Sequence, residues 1–345
     1  MSRTLLEREI AEQPAVVEQL LHGQRGTIAE AAARARATDS SWVLIAARGT
    51  SDNAARYAQH VLGLRCGMPV ALATPSLTTL YRAPLRLDGA LVMGISQSGE
   101  SPDVCAVVEA ARAAGRPTVA ITNTPGSVLA RAADTTIGLG AGPERSVAAT
   151  KTYTASLAAL AALTVELAGD EALHEQLARI PEAMAQQLAG QGDVVAGDAL
   201  AGIERCAVIG RGPNHATAFE AALKIKELTA IAAEPYSPAD LMHGPVAVLG
   251  PATPLLAIAV DGPALPSVID AVADARRRGA GRLVLSDVSG DRFGAEEVVP
   301  LVSVPEWLSP LVSILPAQAL AAQLAGERGI DVDAPFGLNK VTRTI

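Results

Sequence analysis

Short, continuously apolar segments alternate along this chain with longer segments whose apolar residues recur at helical spacing. The short segments predict buried strands, and the longer segments predict amphipathic helices. In the first half the predicted strands are Val43–Ala47, Val70–Ala73, Ala90–Ser96, Thr118–Thr122 and Thr136–Leu139, and the predicted helices are Asn53–Leu64, Pro102–Ala114 and Thr150–Leu167. Buried strands that alternate with helices favour an α/β fold of three layers, in which helices cover both faces of a parallel sheet.

The pattern begins again in the second half of the chain. Strands are predicted at Cys206–Gly210, Leu255–Val260, Leu283–Ser286 and Val298–Val302, and helices at Ala216–Ile231 and Leu311–Ala325. Arg48-Gly49 recurs as Arg211-Gly212, and Val119–Asn123 recurs as Leu283–Asp287, at a spacing of 163 or 164 residues. This nearly constant spacing indicates two copies of one α/β domain.

Five parts are expected along the chain. Residues 1–23 form an N-terminal helical segment that Pro14 is expected to break. Residues 24–170 and 198–326 are the two domains, and residues 171–197 join them through the polar, glycine-rich stretch Gly190–Gly197. Residues 327–345 form a tail rich in turn formers, which either folds over a crevice and delivers Lys340 or frays.

The composition argues against several classes of function. Apolar residues make up 49% of the 345 residues, which is enough for a sizeable core. A net charge of −8 and only 3% aromatic residues disfavour nucleic-acid binding. The chain shows neither a signal-peptide pattern nor an apolar stretch as long as a membrane span, so we expect a cytoplasmic protein without a membrane partner. Cys66, Cys105 and Cys206 are expected to be reduced core residues, and the histidines show no metal-ligand spacing, so no metal is expected.

The clearest chemical signal is the segment Ser96–Ser101, here called the serine loop, which directly follows a predicted strand. Ligands of doubly wound sheets bind beyond the carboxyl ends of the strands, where the next helix presents free N–H groups. The hydroxyl and amide groups of Ser96, Gln97, Ser98 and Ser101 suit phosphate oxygens. A helix cap would explain one serine but not a cluster of them.

A second strand-to-helix junction has a similar composition. It is Gly49–Asn53, here called the threonine turn, in which Ser51 or Asp52 alone would be an ordinary helix cap. Two such junctions on adjacent strands would converge on one crevice. Because neither junction carries a dinucleotide or P-loop motif, a small molecule with one phosphate is favoured.

Ionisable residues mark the second copy instead. The sequence Asp261-Gly262-Pro263 stands where the first copy has the serine loop, and it does not suit an anion. Lys224 and Glu227 lie three residues apart on one predicted helix, so they form either a surface ion pair or part of a site. His243 lies beside a Gly-Pro turn, so it is either an ordinary polar residue on the surface or a residue held in place for a function.

These segments together resemble the tandem sugar-isomerase (SIS) domains of glucosamine-6-phosphate synthases. The resemblance extends over essentially the whole chain and rests on Gly49-Thr50-Ser51, the serine loop, Val147–Lys151, Ala222–Glu227, His243-Gly244-Pro245 and Asp331–Lys340. It implies two SIS domains, each a flavodoxin-like, parallel five-stranded sheet flanked by helices. Ala149 stands where the family usually has serine, which would remove one hydroxyl contact.

The resemblance also implies roles for individual residues. The expected sugar-phosphate contacts are Thr50, Ser51, Ser96, Gln97, Ser98, Ser101 and the backbone near Val147. Glu227 would move a proton between C1 and C2, and Lys224 would lie near the C1 end of the sugar. His243 would open the sugar ring from the partner subunit of a homodimer, and Lys340 would form an imine with the open-chain sugar. No cofactor is implied.

The synthases of this family carry a glutaminase domain ahead of the module, whereas this sequence enters the module directly after Ser2. We therefore expect a stand-alone enzyme that converts glucosamine 6-phosphate and water to fructose 6-phosphate and ammonia. One alternative is a deglycase or ketose–aldose isomerase for another phosphorylated sugar. Another alternative is a non-catalytic sugar-phosphate sensor, because a fold alone does not fix a function.

Overall fold

The computed structural model describes residues 3–190, 200, 202–294, 297–335, 337 and 340, so most of the predicted linker Gly190–Gly197 lies outside the described residues. The first sheet has the order β2-β1-β3-β4-β5, and its strands are β1 Trp42–Ala46, β2 Val70–Leu72, β3 Ala90–Ile95, β4 Thr118–Thr122 and β5 Thr135–Gly138. The second has the matching order β7-β6-β8-β9-β10, with β6 Arg205–Ile209, β7 Ala232–Tyr236, β8 Leu255–Ala259, β9 Arg282–Ser286 and β10 Glu297–Pro300. The α/β fold with two parallel five-stranded sheets is therefore confirmed.

Helices connect and cover the strands. In the first half they are Leu5–Gly23, Arg25–Ala37, Gly49–Cys66, Ser76–Thr79, Pro102–Ala113, Val128–Ala132, Lys151–Ala168, Glu171–Ala178 and Ile180–Gly190. In the second half they are Asn214–Thr229, Pro238–Met242, Leu265–Arg277 and Pro310–Glu327, with 3₁₀ turns at Pro245–Val248, Gly290–Arg292 and Glu306–Leu308. Among the described helices, none combines the length and apolarity needed to cross a bilayer.

The chain divides into two compact units, each built around one sheet. The N-terminal unit comprises the described residues of Ala15–Glu144, Lys151–Arg179 and Asn339–Ile345. The C-terminal unit comprises those of Met1–Pro14, Arg145–Thr150 and Ile180–Leu338. The chain therefore enters the N-terminal unit more than once, and Lys340 belongs to that unit.

Strand order places a crevice in the N-terminal unit. β1 pairs in parallel with β3, in a register that sets Ala46 beside Gly94. The chain leaves β1 toward β2 on one side and leaves β3 toward β4 on the other. Right-handed crossovers then put the two following helices on opposite faces of the sheet. The switch point, where ligands of this fold class bind, lies at the carboxyl ends of β1 and β3.

Two of the three cysteines lie in the core. Cys105 and Cys206 are buried, whereas Cys66 is half-buried, so the expectation of three core cysteines is wrong for Cys66. Burial raises the pKa of Cys105 to about 11 and that of Cys206 to about 12. Neither thiol is therefore an activated nucleophile at neutral pH.

Pro14 does not break the N-terminal helix, which runs from Leu5 to Gly23. Proline removes the N–H that would bond the carbonyl four residues earlier, here that of Ile10. The Gln13 side-chain amide donates to this carbonyl over 3.0 Å and also to Gln318 Oε1 over 2.8 Å. The helix continues because a neighbouring side chain supplies the missing donor.

Strand β7 was not predicted from the sequence. It is an edge strand with Glu234 and Pro235 in its middle, and it pairs only with β6 among the described strands. An edge strand tolerates proline because one side of its backbone needs no ladder partner. Apolar and polar residues alternate too weakly in Ala232–Tyr236 for the hydrophobic pattern alone to distinguish this strand from a loop.

Candidate active site

The serine loop follows β3 and lies at the switch point of the N-terminal unit. Ser96 is buried, and its Oγ accepts from Gly99 N over 3.2 Å and lies 3.2 Å from Ser101 Oγ. Ser98 Oγ accepts from Glu100 N over 3.3 Å. Ser101 precedes the helix Pro102–Ala113 without giving it a side-chain cap within the described residues. The loop thus groups three hydroxyls at a helix N-terminus, where an anion is stabilised by the helix dipole.

Gly99 fixes the shape of this loop. Its φ is +66°, and a Cβ added there would lie 2.1 Å from Ser127 Oγ and 2.5 Å from Ser127 Cβ. Gly99→Ala therefore combines a left-handed backbone cost of about 1–2 kcal/mol with a steric clash.

We expect the Gly99→Ala variant to have a lower unfolding temperature and to bind sugar phosphate more weakly. Gly115→Ala is the matched control, because Gly115 has φ +70° and nothing within 4 Å of an added Cβ. Equal losses in both variants would show that backbone strain alone accounts for the effect.

The threonine turn lies beside the serine loop, as expected for two neighbouring strands. Ser51 and Asp52 donate their backbone N–H groups to Arg48 O, which starts the helix Gly49–Cys66. An ion pair of 2.7 Å joins Arg48 Nε to Asp103 Oδ2 in the helix after the serine loop. Burial raises the pKa of Asp52, against the opposing charges of Arg56 and Arg48. The two junctions are therefore tied together across the switch point.

Lys340 is held by a buried glutamate. Its Nζ lies 2.8 Å from Glu144 Oε2, and the same carboxylate accepts from Thr152 N over 3.1 Å and Thr152 Oγ1 over 2.8 Å. Lys340 thus has a defined position in the N-terminal unit, so of the two alternatives for the tail, fraying does not apply at this residue. Nearer the tail's start, Asp333 accepts from the backbone N–H groups of Leu5 and Leu6 and caps the N-terminal helix.

Val147 lies in a loop of the C-terminal unit. A buried carboxylate, Glu9, accepts from Arg145 N over 2.5 Å and from Ser146 N over 3.2 Å, and it also bonds Ser146 Oγ. Val147 itself is half-buried. The backbone that the resemblance assigns to substrate is therefore held by a side chain distant in sequence.

Lys224 is the centre of a charged cluster on the helix Asn214–Thr229. Its side chain is 1% exposed, and its Nζ lies 2.5 Å from Glu227 Oε2 and 3.4 Å from Glu220 Oε1. Glu220 is fully buried, whereas Glu227 is 26% exposed. The interpretation as a surface ion pair is therefore wrong. Of the three charged groups, the Glu227 carboxylate is the one that remains accessible to a ligand.

His243 is exposed at the end of the helix Pro238–Met242. Its backbone N–H donates to Ala239 O and Asp240 O, and Ser237 caps the start of the same helix by accepting from Asp240 N over 3.1 Å. Gly244 follows with a φ of +132°, which turns the chain sharply. The backbone at His243 is thus fixed while its imidazole faces outward.

Sequence reasoning missed Glu144, Glu220 and Glu9. Glu220 lies four residues before Lys224, a helical spacing that predicts contact, so a signal for it was present. Glu144 and Glu9 are connected to their partners only by tertiary folding, and no local pattern marks them. Within the described part of the chain, no three His, Cys, Asp or Glu residues are grouped as a metal site would need.

Comparisons with known proteins agree with this architecture. A family model for the SIS domain matches residues 38–166 and 199–328. The chain belongs to the SIS-domain family. The glutamine–fructose-6-phosphate aminotransferase of Shouchella clausii is 37% identical over 346 residues, which cover 96% of this chain but 57% of that protein. The chain thus spans little more than half the length of such curated relatives.

Solved structures share the fold along nearly the whole chain. A protein of Silicibacter pomeroyi assigned as a phosphosugar isomerase has a TM-score of 0.87 and 35% identity, covering 96% of this chain and all of that one. The C-terminal domain of glucosamine-fructose-6-phosphate aminotransferase from Francisella tularensis has a TM-score of 0.84 and 27% identity, covering 97% of this chain and 99% of that one. The glucosamine-6-phosphate deaminase of Thermotoga maritima has a TM-score of 0.78 and 21% identity, covering 99% of this chain and 100% of that one. At this identity the similarity establishes a shared fold and nothing more.

Proposed function

We propose that this SIS protein is an amino-sugar-phosphate deaminase that converts glucosamine 6-phosphate and water to fructose 6-phosphate and ammonia. The observation that carries the proposal is the accessible Glu227 carboxylate, paired with buried Lys224. A carboxylate in this role removes the proton on C2 and returns it to C1, and a nearby ammonium stabilises the charge that develops on the sugar. The relatives named as aminotransferases support a substrate of this class.

In this proposal, the serine loop and the threonine turn bind the phosphate group of the substrate. Their hydroxyl groups lie at the N-termini of two helices, a setting that favours phosphate oxygens. We assign Ser51, Ser98 and Ser101 to the phosphate, together with Thr50 and Gln97. Ser96 acts from a buried position, where it ties Gly99 and Ser101 into the loop.

The remaining roles fall on single side chains. The accessible Glu227 carboxylate attracts the ammonium group that glucosamine 6-phosphate carries next to its C1. His243 opens the ring, since an imidazole can both donate and accept a proton. Lys340 is assigned to imine formation with the open-chain sugar, which releases a water molecule that hydrolysis of the imine takes up again.

An ammonia-release assay over a panel of phosphorylated sugars tests the proposal. The expected result is ammonia and fructose 6-phosphate from glucosamine 6-phosphate. Turnover only of another phosphorylated amino sugar, or only ketose–aldose isomerisation, would assign the chain to one of the alternative enzymes. Binding of sugar phosphates without turnover of any panel member would replace the enzyme with a sensor, which needs the phosphate contacts but not the acid–base residues.

The outward-facing His243 supports a site completed by a second copy of the chain. We expect Glu227→Gln and His243→Ala proteins to be nearly inactive alone, and their mixture to recover activity after subunit exchange. Each hybrid dimer would contain one site with both residues intact. Differently tagged subunits allow heterodimers to be isolated first. Heterodimers with no more activity than the parents would place His243 and Glu227 of one chain in the same site.

A further inference from the structure

We propose that Arg48 is a further substrate-binding residue, whose guanidinium contacts the phosphate group that the serine loop holds. The inference rests on the proposed function, because it adds one contact to the same phosphate site. In the sequence, Arg48 stands out only as part of the repeated Arg-Gly pair. In the fold, it lies next to the proposed phosphate site.

Arg48 lies at the edge of the sheet where ligands of this fold class bind. Arg48 directly precedes the threonine turn, and its side chain reaches the helix after the serine loop, where Nε lies 2.7 Å from Asp103 Oδ2. The ion pair therefore spans the carboxyl ends of β1 and β3. A ligand at the switch point of this fold class lies over that edge.

The Arg48 guanidinium is held in place and is still exposed. The Asp103 side chain is 1% exposed and also accepts from Val104 N over 2.9 Å, so its position is fixed. The Arg48 side chain is 53% exposed although its Nε is paired. A guanidinium has a rigid fork of donors, so an anchor at Nε orients the terminal nitrogens without using all of them. Such preorganisation lowers the entropy cost of binding.

Arg48 also changes the charge of this edge. Asp103 and Asp52 place two carboxylates beside the crevice, and Arg56 pairs with Asp52 over 3.2 Å. Glu100 adds a further acidic side chain within the serine loop. Arg48 reduces the net charge of these groups from about −2 to about −1, which weakens their repulsion of a phosphate dianion.

The experiment measures binding of glucosamine 6-phosphate by calorimetry, with every variant made in a Glu227→Gln background so that the ligand stays intact. Arg48→Gln is expected to raise the Kd about 10-fold or more. Because this change leaves the buried Asp103 carboxylate without its partner, the double variant Arg48→Gln with Asp103→Asn is measured as well. The double variant has the same net charge at this edge as the parent. If its Kd rises as much as that of Arg48→Gln alone, the rise comes from the lost contact between Arg48 and the phosphate.

Arg112→Gln is the matched control. Arg112 is 50% exposed and pairs with Asp134 over 3.0 Å, but it lies at the other end of the helix Pro102–Ala113. We expect its Kd to equal that of the parent. If the double variant binds as tightly as the parent, the Arg48 inference is wrong while the phosphate site stands. If the parent itself shows no binding, or binds glucosamine equally well, the proposed function is wrong, and the Arg48 inference fails with it.

Discussion

Glu227→Gln is expected to keep binding glucosamine 6-phosphate while its rate of ammonia release falls at least about 100-fold. Positioned general bases contribute roughly 10²–10⁴-fold to the rate of a proton transfer. Glutamine keeps the shape of glutamate and one acceptor oxygen for Lys224, but it cannot accept the C2 proton. Lys224 retains Glu220 as a partner at 3.4 Å, so the cluster keeps a balancing charge.

Glu182→Gln serves as the control for this variant, because Glu182 is exposed and bonds only Gln186 one helical turn away among the described contacts. Rates come from a continuous ammonia assay, and binding comes from calorimetry. If Glu227→Gln releases ammonia at the parental rate, Glu227 serves Lys224 only as a structural partner. A matching fall in the Glu182→Gln protein would point to a general effect of lost surface charge.

The double variant Ser96→Ala with Ser98→Ala should raise the Kd for sugar phosphate at least about 10-fold, with a much smaller effect on the chemical step. Losing the Ser98 hydrogen bond to the charged phosphate costs about 1.5–3 kcal/mol, and losing Ser96 also removes the contacts that shape the loop. The phosphate lies at C6, far from the C1 and C2 atoms that react. The effect should therefore appear in KM and in Kd, and kcat at saturation should change little.

The structure sharpens this prediction by separating the two serines. Ser98 is half-exposed, whereas buried Ser96 bonds Gly99 and Ser101 within the loop. Ser98→Ala alone should weaken binding without lowering stability, while Ser96→Ala should do both. Ser156→Ala is the control, since Ser156 Oγ donates to Thr152 O over 2.7 Å inside a helix. Unchanged affinity in the double variant would contradict the phosphate assignment.

Local patterns were sufficient for the fold. The continuous apolar strands and the repeat of Arg48-Gly49 at Arg211-Gly212 predicted two copies of one domain, and the two sheets have the same strand order. The break at Pro14 was predicted wrongly, because the side chain of the adjacent Gln13 supplies the donor that the proline lacks. Strand β7 was missed, because an edge strand needs too little apolar alternation to be recognised.

The candidate site was predictable only where its residues follow each other along the chain. The serine loop and the Lys224–Glu227 pair each lie within a few residues of sequence. The Arg48–Asp103 pair, the Glu144–Lys340 pair and the contact of Glu9 with the Val147 loop connect residues far apart in sequence. Such contacts depend on tertiary packing, which no periodicity encodes.

The fate of the hydrogen on C2 distinguishes a deaminase from a sugar-binding protein. Glucosamine 6-phosphate carrying deuterium at C2 is incubated with the protein, and the sugar is analysed by NMR and mass spectrometry. If the protein is a deaminase, the deuterium leaves C2, either to C1 of fructose 6-phosphate or to solvent, and Glu227→Gln slows this loss at least about 100-fold. A protein that binds the labelled sugar, leaves the deuterium at C2 and releases no ammonia is not a deaminase but a sugar-phosphate-binding module.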